Sequence, residues 1–505
     1  MVGIGQWLTR RAELCPQREA VVDGDRRVNY AQLNQRVNQL ARVLGGAGLR
    51  RGDRLSMLAL NCLEWVEAVM AAAKLGLVLV PLNWRLTPAE LGYQLADSQA
   101  RHLIFEPGLE ELARRIAEEA GLERLWVLGE RALDRAEAYE TALAAQPSEE
   151  PVLDYPVEQD LPLLIVYTSG TTGRPKGAVL SQANCLWNAL NLHVDLEFTS
   201  QDRELVVLPM FHIGGIGLFT LALIYVGASM VVQRNFDPAQ IMRRLKDEGI
   251  TLFFAVPAMY LLMIQSPDFQ PAAFQDVRMV FCGGAPLPPA LIDQYQELGI
   301  TLQQGYGMSE ASPSTTVLPK DWALAKKGSV GRPHFHLQLK VAGSNGEELP
   351  AGQVGEVLLK GPNIMQGYWN KPQANQEALA GGWFHTGDLG RLDEDGFLYI
   401  VDRQKDMYIS GGENVYPAEV EHAIFELDQV AEVAVVGVPD PRWGETGRAF
   451  VVPRSGARLS QDQVLAHLSG RLARFKLPRS VVFVETLPRT ASGKVIKNEL
   501  REPAG

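Results

Sequence analysis

The chain has 505 residues, 46% hydrophobic and 21% charged, with a formal net charge of −11. This is the composition of an ordinary globular protein, long enough for about three folding units, and its acidic balance argues against a nucleic-acid binder, which carries a basic face. The cysteines Cys15, Cys62, Cys185 and Cys282 are widely separated with no CxxC pair, which speaks against a disulfide framework or structural zinc and fits a reducing cytoplasm.

The N-terminus, MVGIGQWLTRRAELCP, lacks the apolar core and small-residue cleavage site of a signal peptide. Helical patterns over Tyr30–Gly45, Leu63–Leu75 and Asp237–Glu248 alternate with strand-like apolar runs at Arg54–Ala59, Leu163–Tyr167, Thr251–Val256 and Val277–Phe281. Such alternation predicts an α/β fold with largely parallel sheets. Leu205–Gln233 contains no Asp, Glu, Lys or Arg. Pro209, His212 and the Gly214-Gly215-Ile216-Gly217 break nevertheless make it a buried loop–helix–strand unit rather than a membrane span.

After Lys326 turn residues become denser, and Leu337–Val341 and Gly355–Leu359 read as strands of a small β-rich lobe. From Asp402 the pattern changes again. It gives a helix over Ala418–Phe425, strands at Val430–Val438 and Ala449–Val452, a helix over Gln461–Leu472 and a strand at Ser480–Phe483. This is a separate α+β unit of about 100 residues, large enough to fold alone. The expected division is 1–402, with segments of roughly 1–160, 161–325 and 326–402, followed by a domain over 403–505.

The apolar run LPLLIVY feeds into Thr168-Ser169-Gly170-Thr171-Thr172-Gly173 and then Arg174-Pro175-Lys176-Gly177. Glycines let backbone N–H groups turn toward an anion, hydroxyls add donors, and Lys176 supplies a compact positive charge. Together they predict a polyphosphate cradle. Because Lys176 is followed by glycine, this is not the GxxxxGK[ST] loop of common nucleotide hydrolases.

The segment YTSGTTGRPKG closely resembles the signature of the adenylate-forming superfamily, which contains acyl-CoA synthetases, luciferases and the adenylation domains of peptide synthetases. Six further motifs follow in the family's order: PMFHIGG (Pro209–Gly215), GGAP (Gly283–Pro286), QGYGMSE (Gln304–Glu310), TGD (Thr386–Asp388), DRQKDMYISGGENVYPAEVE (Asp402–Glu421) and PRTASGK (Pro488–Lys494). The resemblance spans nearly the whole chain, and the overall pattern looks like bacterial fatty-acyl-CoA or feruloyl-CoA synthetases. It implies a large N-terminal domain of parallel-sheet α/β subdomains with a small β-rich lobe, and a mobile α+β C-terminal domain. The implied reaction uses ATP and Mg²⁺ to convert a carboxylic acid to its acyl adenylate and then to a CoA thioester.

The resemblance also assigns residues. Attack of a weakly nucleophilic carboxylate on the α-phosphate needs charge neutralisation and positioning rather than a protein nucleophile. Lys494 is the expected bridge between substrate carboxylate and α-phosphate, and Glu310, with Thr168, the expected Mg²⁺ site. Around the nucleotide the resemblance places Gly284, Ala285, Pro286, Gln304, Gly305, Tyr306, Gly307, Met308 and Ser309, with Tyr306 stacked on adenine. Asp388 and Arg403 are expected at the ribose. His212 is expected to gate or shape an acyl pocket formed with Phe211, Val256, Gly283, Gly284 and Gly307. Lys405 is the implied hinge for domain rotation, and Ser410, Gly411, Gly412, Glu413 and Asn414 the implied lining of the CoA tunnel. His334 and His336, in HFH, have no third ligand and read as structural.

Phe254–Val277 and Met279–Pro319 contain no Lys or Arg, and a second substrate carboxylate would want a basic partner there. A neutral, mainly apolar acid is expected, a fatty acid first and a hydroxycinnamate as the alternative. CoA is favoured as acceptor because no carrier domain is fused, and a stand-alone enzyme loading a carrier protein stays open. The resemblance also admits a homodimer.

Overall fold

In the computed structural model, residues 3–168, 175–403, 406–410, 413–440, 443–469, 471–472, 474–490 and 494–501 are described, with backbone alone at 403, 413, 414 and 444. Two large sheets carry most of the chain. The first has eight strands, in the spatial order Gly367–Tyr368, Lys176–Ser181, Pro162–Thr168, Val78–Pro81, Arg54–Leu58, His102–Phe105, Arg124–Val127 and Glu137–Ala138. The second has nine, in the order Arg332–Pro333, Ser314–Val317, Leu302–Gly307, Met279–Cys282, Leu252–Ala255, Arg203–Val206, Ser229–Val232, Glu19–Asp23 and Arg26–Asn29. The two contiguous segments 1–160 and 161–325 thus exchange strands: Glu19–Asn29 lies in the second sheet, while Pro162–Ser181 lies in the first.

The central strands are parallel and covered on both faces, so they read as unbroken apolar runs rather than as alternating ones. Every residue of Leu252–Ala255 and Met279–Cys282 is buried. The helix Glu64–Leu75 is buried along its whole length, and its charges are paired. Glu67 accepts from Arg36 and from the Tyr139 hydroxyl, while Lys74 bonds Glu150 at 2.7 Å. The helix Tyr30–Gly46 starts where expected because Asn29 and Gln32 form a reciprocal capping box.

The uncharged stretch folds as the expected buried unit: strand Arg203–Val206, a π-helical run Gly214–Thr220 continuing into helix Leu221–Val226, then strand Ser229–Val232. Among the described residues, no helix is long and apolar enough to cross a membrane.

The β-rich lobe is a four-stranded antiparallel sheet of Gln338–Ala342, Gly355–Lys360, Phe384–Leu392 and Leu398–Arg403. Beyond it, a five-stranded sheet built on Val430–Asp440 and Gly444–Pro453 carries the helices Pro417–Phe425 and Gln461–Leu468. The second helix is four residues shorter than predicted because Ser469 is already extended, at φ −64° and ψ 126°.

Candidate active site

In open α/β sheets, ligands bind beyond the carboxyl ends of the parallel strands. Both large sheets follow that rule here, meeting at one cavity of about 1280 Å³. The first sheet contributes Pro81 at the end of one strand, Asn83 just beyond it and Thr168 at the end of another, and the second contributes Leu208, Val256, Gly283 and Gly305–Gly307. The C-terminal unit reaches the same cavity with Arg489, Thr490, Lys494 and Ile496.

Strands Pro162–Thr168 and Lys176–Ser181 form an antiparallel hairpin in which Thr168 faces Lys176. Its intervening residues Ser169, Gly170, Thr171, Thr172 and Gly173 lie outside the described residues, as do Lys405, Gly411 and Gly412. Glu310 sits on one helical turn, Ser309–Ala311, directly after the strand Leu302–Gly307, and is buried. The Thr168 hydroxyl donates to Glu310 Oε1 at 3.3 Å, and the Tyr368 hydroxyl donates to the same oxygen at 3.0 Å. Burial, together with the adjacent carboxylate, pushes the Tyr368 phenol far above its ordinary pKa, so it stays a donor. Lys176 Nζ lies 5.2 Å from the centre of the Tyr368 ring, within cation–π range. Both ends of the hairpin are thus tied to Glu310, Thr168 directly and Lys176 through Tyr368.

A carboxylate and a hydroxyl side by side are hard oxygen donors. Among the described residues no cluster of three or more His, Cys, Asp or Glu could form a protein cage for a metal. Mg²⁺ is commonly held by one or two carboxylates with phosphate and water oxygens, and the residues present fit it.

On the opposite edge, the Tyr306 hydroxyl donates to Asp388 Oδ2 at 2.6 Å, which fixes the plane of the Tyr306 ring. Asp388 faces Arg403 across the antiparallel pair Phe384–Leu392 and Leu398–Arg403. Gly307 permits the close approach of the next strand, because a Cβ there would meet the Pro313 carbonyl oxygen at 1.9 Å. Gly284, at φ +81°, takes the left-handed conformation that turns the chain beneath the cavity.

His212 is half-buried at the cavity wall, and its Nδ1 accepts the Gly214 N–H at 3.1 Å. Burial, with a smaller contribution from the Lys494 charge, lowers its pKa to about 4. The ring is therefore neutral at neutral pH, with its single proton on Nε2. His212 and Lys494 line the same cavity although they lie 282 positions apart in the chain.

The side of the cavity expected to take the acyl group is lined by Phe211, Val256, Met259, Phe254 and Phe281, the last two with ring centres 5.6 Å apart. The wall segments lack Lys and Arg as expected. The cavity as a whole does not, because Arg85 enters from the loop after Val78–Pro81 and lies over the rings of Trp84 at 4.7 Å and Phe211 at 6.0 Å. Burial lowers its guanidinium below the ordinary arginine value. The argument against a second carboxylate, made from the two wall segments, thus does not extend to this side.

Of the expected residues, the cavity gathers Thr168, Lys176, Phe211, His212, Val256, Gly283, Gly284, Gly305, Tyr306, Gly307, Met308, Ser309, Glu310, Asp388 and Lys494. Ala285, Pro286, Gln304 and Ser410 do not line it. Gln304 is buried with Nε2 unpartnered, and Ser410 is paired to Glu413 and Gly444 within the C-terminal sheet. Tyr368, Arg85 and Ser314 also line the cavity and were not singled out by sequence reading. The Gly-Tyr pair in QGYWN was the one available signal for Tyr368, whose partner Glu310 is 58 positions away. The HFH histidines are held by helix Gln182–Leu196: His334 Nδ1 lies 2.6 Å from Asp195, and His336 Nδ1 lies 2.8 Å from Asn191.

The chain matches known proteins along nearly its whole length. The AMP-binding enzyme family profile matches residues 8–369, and the profile of the AMP-binding enzyme C-terminal domain matches residues 419–494. A feruloyl-CoA synthase of Amycolatopsis sp. is 43% identical over 503 residues, covering 100% of this chain and 99% of the relative. A long-chain fatty acid–CoA ligase of Mycobacterium tuberculosis is 37% identical over 508 residues, covering 99% and 98%. The structure of o-succinylbenzoate CoA synthetase from Bacillus subtilis with its acyl-adenylate intermediate superposes with a TM-score of 0.89 at 32% identity, covering 99% and 98%.

Proposed function

From the premise that the chain belongs to the AMP-binding enzyme family and is an AMP-forming acid–thiol ligase, we propose that its acid is aromatic, of the hydroxycinnamate kind, and its acceptor free CoA. The observation that carries this reading is the acyl wall, where Phe254 and Phe281 pack beside Phe211 and Val256. Flat rings suit stacked and edge-on contacts with such a wall. The 43% identity to a feruloyl-CoA synthase supports it. The 37% identity to a long-chain fatty acid–CoA ligase keeps the fatty acid as a second reading.

In the first half-reaction a carboxylate oxygen attacks the α-phosphorus, forming the acyl–phosphate anhydride as the bond to pyrophosphate breaks. Glu310 and Thr168 would hold Mg²⁺, which when bound neutralises phosphate charge. Lys176 and the hairpin would hold the β- and γ-phosphates. Asp388 would accept from the ribose hydroxyls, with Tyr306 flat against adenine. Lys494 would place its charge between carboxylate and α-phosphate, where negative charge develops. Neutral His212, donating through Nε2, would border the acyl group without adding a competing cation.

In the second half-reaction the CoA sulfur attacks the carbonyl carbon and AMP leaves. We assign this step to a rotation of the domain beginning at residue 403 about Lys405, bringing the segment from Ser410 to Asn414 to the site.

Pyrophosphate release across a panel of ferulate, 4-coumarate, cinnamate, octanoate and hexadecanoate, with and without CoA, tests the proposal. Ferulate and 4-coumarate should give the highest kcat/KM and CoA-dependent thioester. Preference for hexadecanoate would overturn the aromatic reading. Adenylate formation without transfer to CoA would point instead to a carrier-protein acceptor.

A further inference from the structure

The helix Gln182–Leu196 packs against the strand Ser314–Val317 with polar residues at three- and four-residue spacing: Asn188, Asn191 and Asp195. That spacing puts them on one helical face. Asn188 Oδ1 accepts the Ser314 N–H at 3.2 Å, which fixes the backbone of Ser314 where it borders the cavity. The Ser314 hydroxyl lies 2.7 Å from His334 Nε2, and His334 Nδ1 lies 2.6 Å from Asp195 Oδ2. Both His334 and Ser314 are buried.

For a neutral His334 ring the protons in this relay follow by elimination. Asp195 Oδ2 also takes the Phe335 N–H at 3.2 Å, so the carboxylate is acting as an acceptor. The nitrogen facing it, Nδ1, must therefore carry hydrogen. In a ring with one proton Nε2 is left as an acceptor, and the Ser314 hydroxyl has to donate to it. Its only proton is then spent inside the wall. What Oγ retains is lone pairs, and among the described residues no other group donates to it.

We propose that Asp195 and His334 lock Ser314 as a hydrogen-bond acceptor on the acyl wall, and that it selects acids carrying a donor, such as a phenolic O–H, over the same acid without one. The proposal rests on the aromatic-acid reading above and refines it. Ser314 is the group that touches the substrate, while His334 and Asp195 act through it as positioning residues. A site built to pair a substrate hydroxyl discriminates strongly against the analogue lacking it, because its own polar group is then left unpaired in a dry pocket.

The test compares kcat/KM for 4-coumarate, cinnamate and 4-methoxycinnamate, which differ only at the ring's far end, in wild type, Ser314→Ala and Asp195→Asn. Wild type should prefer 4-coumarate to cinnamate by about tenfold or more. Ser314→Ala should bring that ratio close to one. Asp195→Asn offers His334 an amide that can donate as well as accept, in place of a carboxylate that can only accept. It should let the ring move its proton to Nε2, free the serine proton and shift preference toward the methyl ether. A purely structural role would lower all three acids together in both variants, and that result overturns the proposal. So does a wild-type enzyme indifferent to the hydroxyl, or a preference that survives Ser314→Ala. If wild type instead prefers fatty acids to all three, the aromatic reading fails, and the same ratios taken with hexadecanoate and 16-hydroxyhexadecanoate decide the Ser314 proposal on its own.

Discussion

The Tyr368 hydroxyl donates to Glu310 Oε1 at 3.0 Å, and the Thr168 hydroxyl reaches the same oxygen at 3.3 Å. Three separate segments are thereby joined at the carboxylate we assign to Mg²⁺. Hydrogen bonds to charged groups contribute roughly 1.5–3 kcal/mol. Tyr368→Phe should accordingly lower kcat/KM for MgATP in adenylation by about 10- to 100-fold and lower the melting temperature with it, because the bond is already present in the folded protein. Pyrophosphate release at varied MgATP, beside a thermal melt, checks this. Wild-type MgATP dependence in the variant would remove Tyr368 from the site.

Lys494 faces the cavity from the C-terminal unit. Loss of one preorganised charge donor typically costs on the order of 10²–10³ in rate. Lys494→Ala should slow adenylate formation by that amount yet still convert supplied acyl adenylate to thioester. Equal loss in both half-reactions, measured separately, would contradict a role confined to the first.

His212 is predicted to titrate near its depressed value of about 4 rather than at the ordinary 6.5. Its folded pKa lies below the unfolded one, so the folded state binds fewer protons between those values. The stability it contributes is complete above about 6.5 and is lost as pH falls toward about 4. Lys494→Met should raise the His212 value, but not to 6.5, because burial is the larger cause. Histidine-selective NMR titration of the two proteins reads this directly, and an unchanged value in the variant would show that the lysine charge does not reach the ring.

Glu204 lies on the strand Arg203–Val206, fully buried, with Oε2 unpartnered, and burial raises its pKa to about 8. The folded state retains a proton that the unfolded chain has released. Stability is therefore complete below the ordinary 4.5 and declines as pH rises through about 8. Glu204→Gln keeps the shape and removes the titration. Its melting temperature relative to wild type should rise progressively between pH 5.5 and 8.5 (a range chosen to span that window), and a pH-independent difference would exclude Glu204 as the titrating group.

What the sequence by itself determined was whatever local chemistry encodes. Strand and helix periods placed most of the elements read from them within a residue or two, as with Tyr30–Gly46 behind its Asn29 cap, but missed the start of Gly444–Pro453 and the end of Gln461–Leu468. Ordered motifs carried Thr168, Lys176, His212, Tyr306, Glu310, Asp388 and Lys494, all of which line the one cavity. The tertiary structure alone decided which other groups meet them. Tyr368 reaches Glu310, and Arg85 reaches the acyl side, through strand order that no spacing reveals. His334, read from HFH as structural, is set between Asp195 and Ser314. A residue's type fixes how many protons it can give or take, but which partner takes them depends on contacts across more than a hundred positions of chain, and that polarity is what the acyl wall offers its substrate.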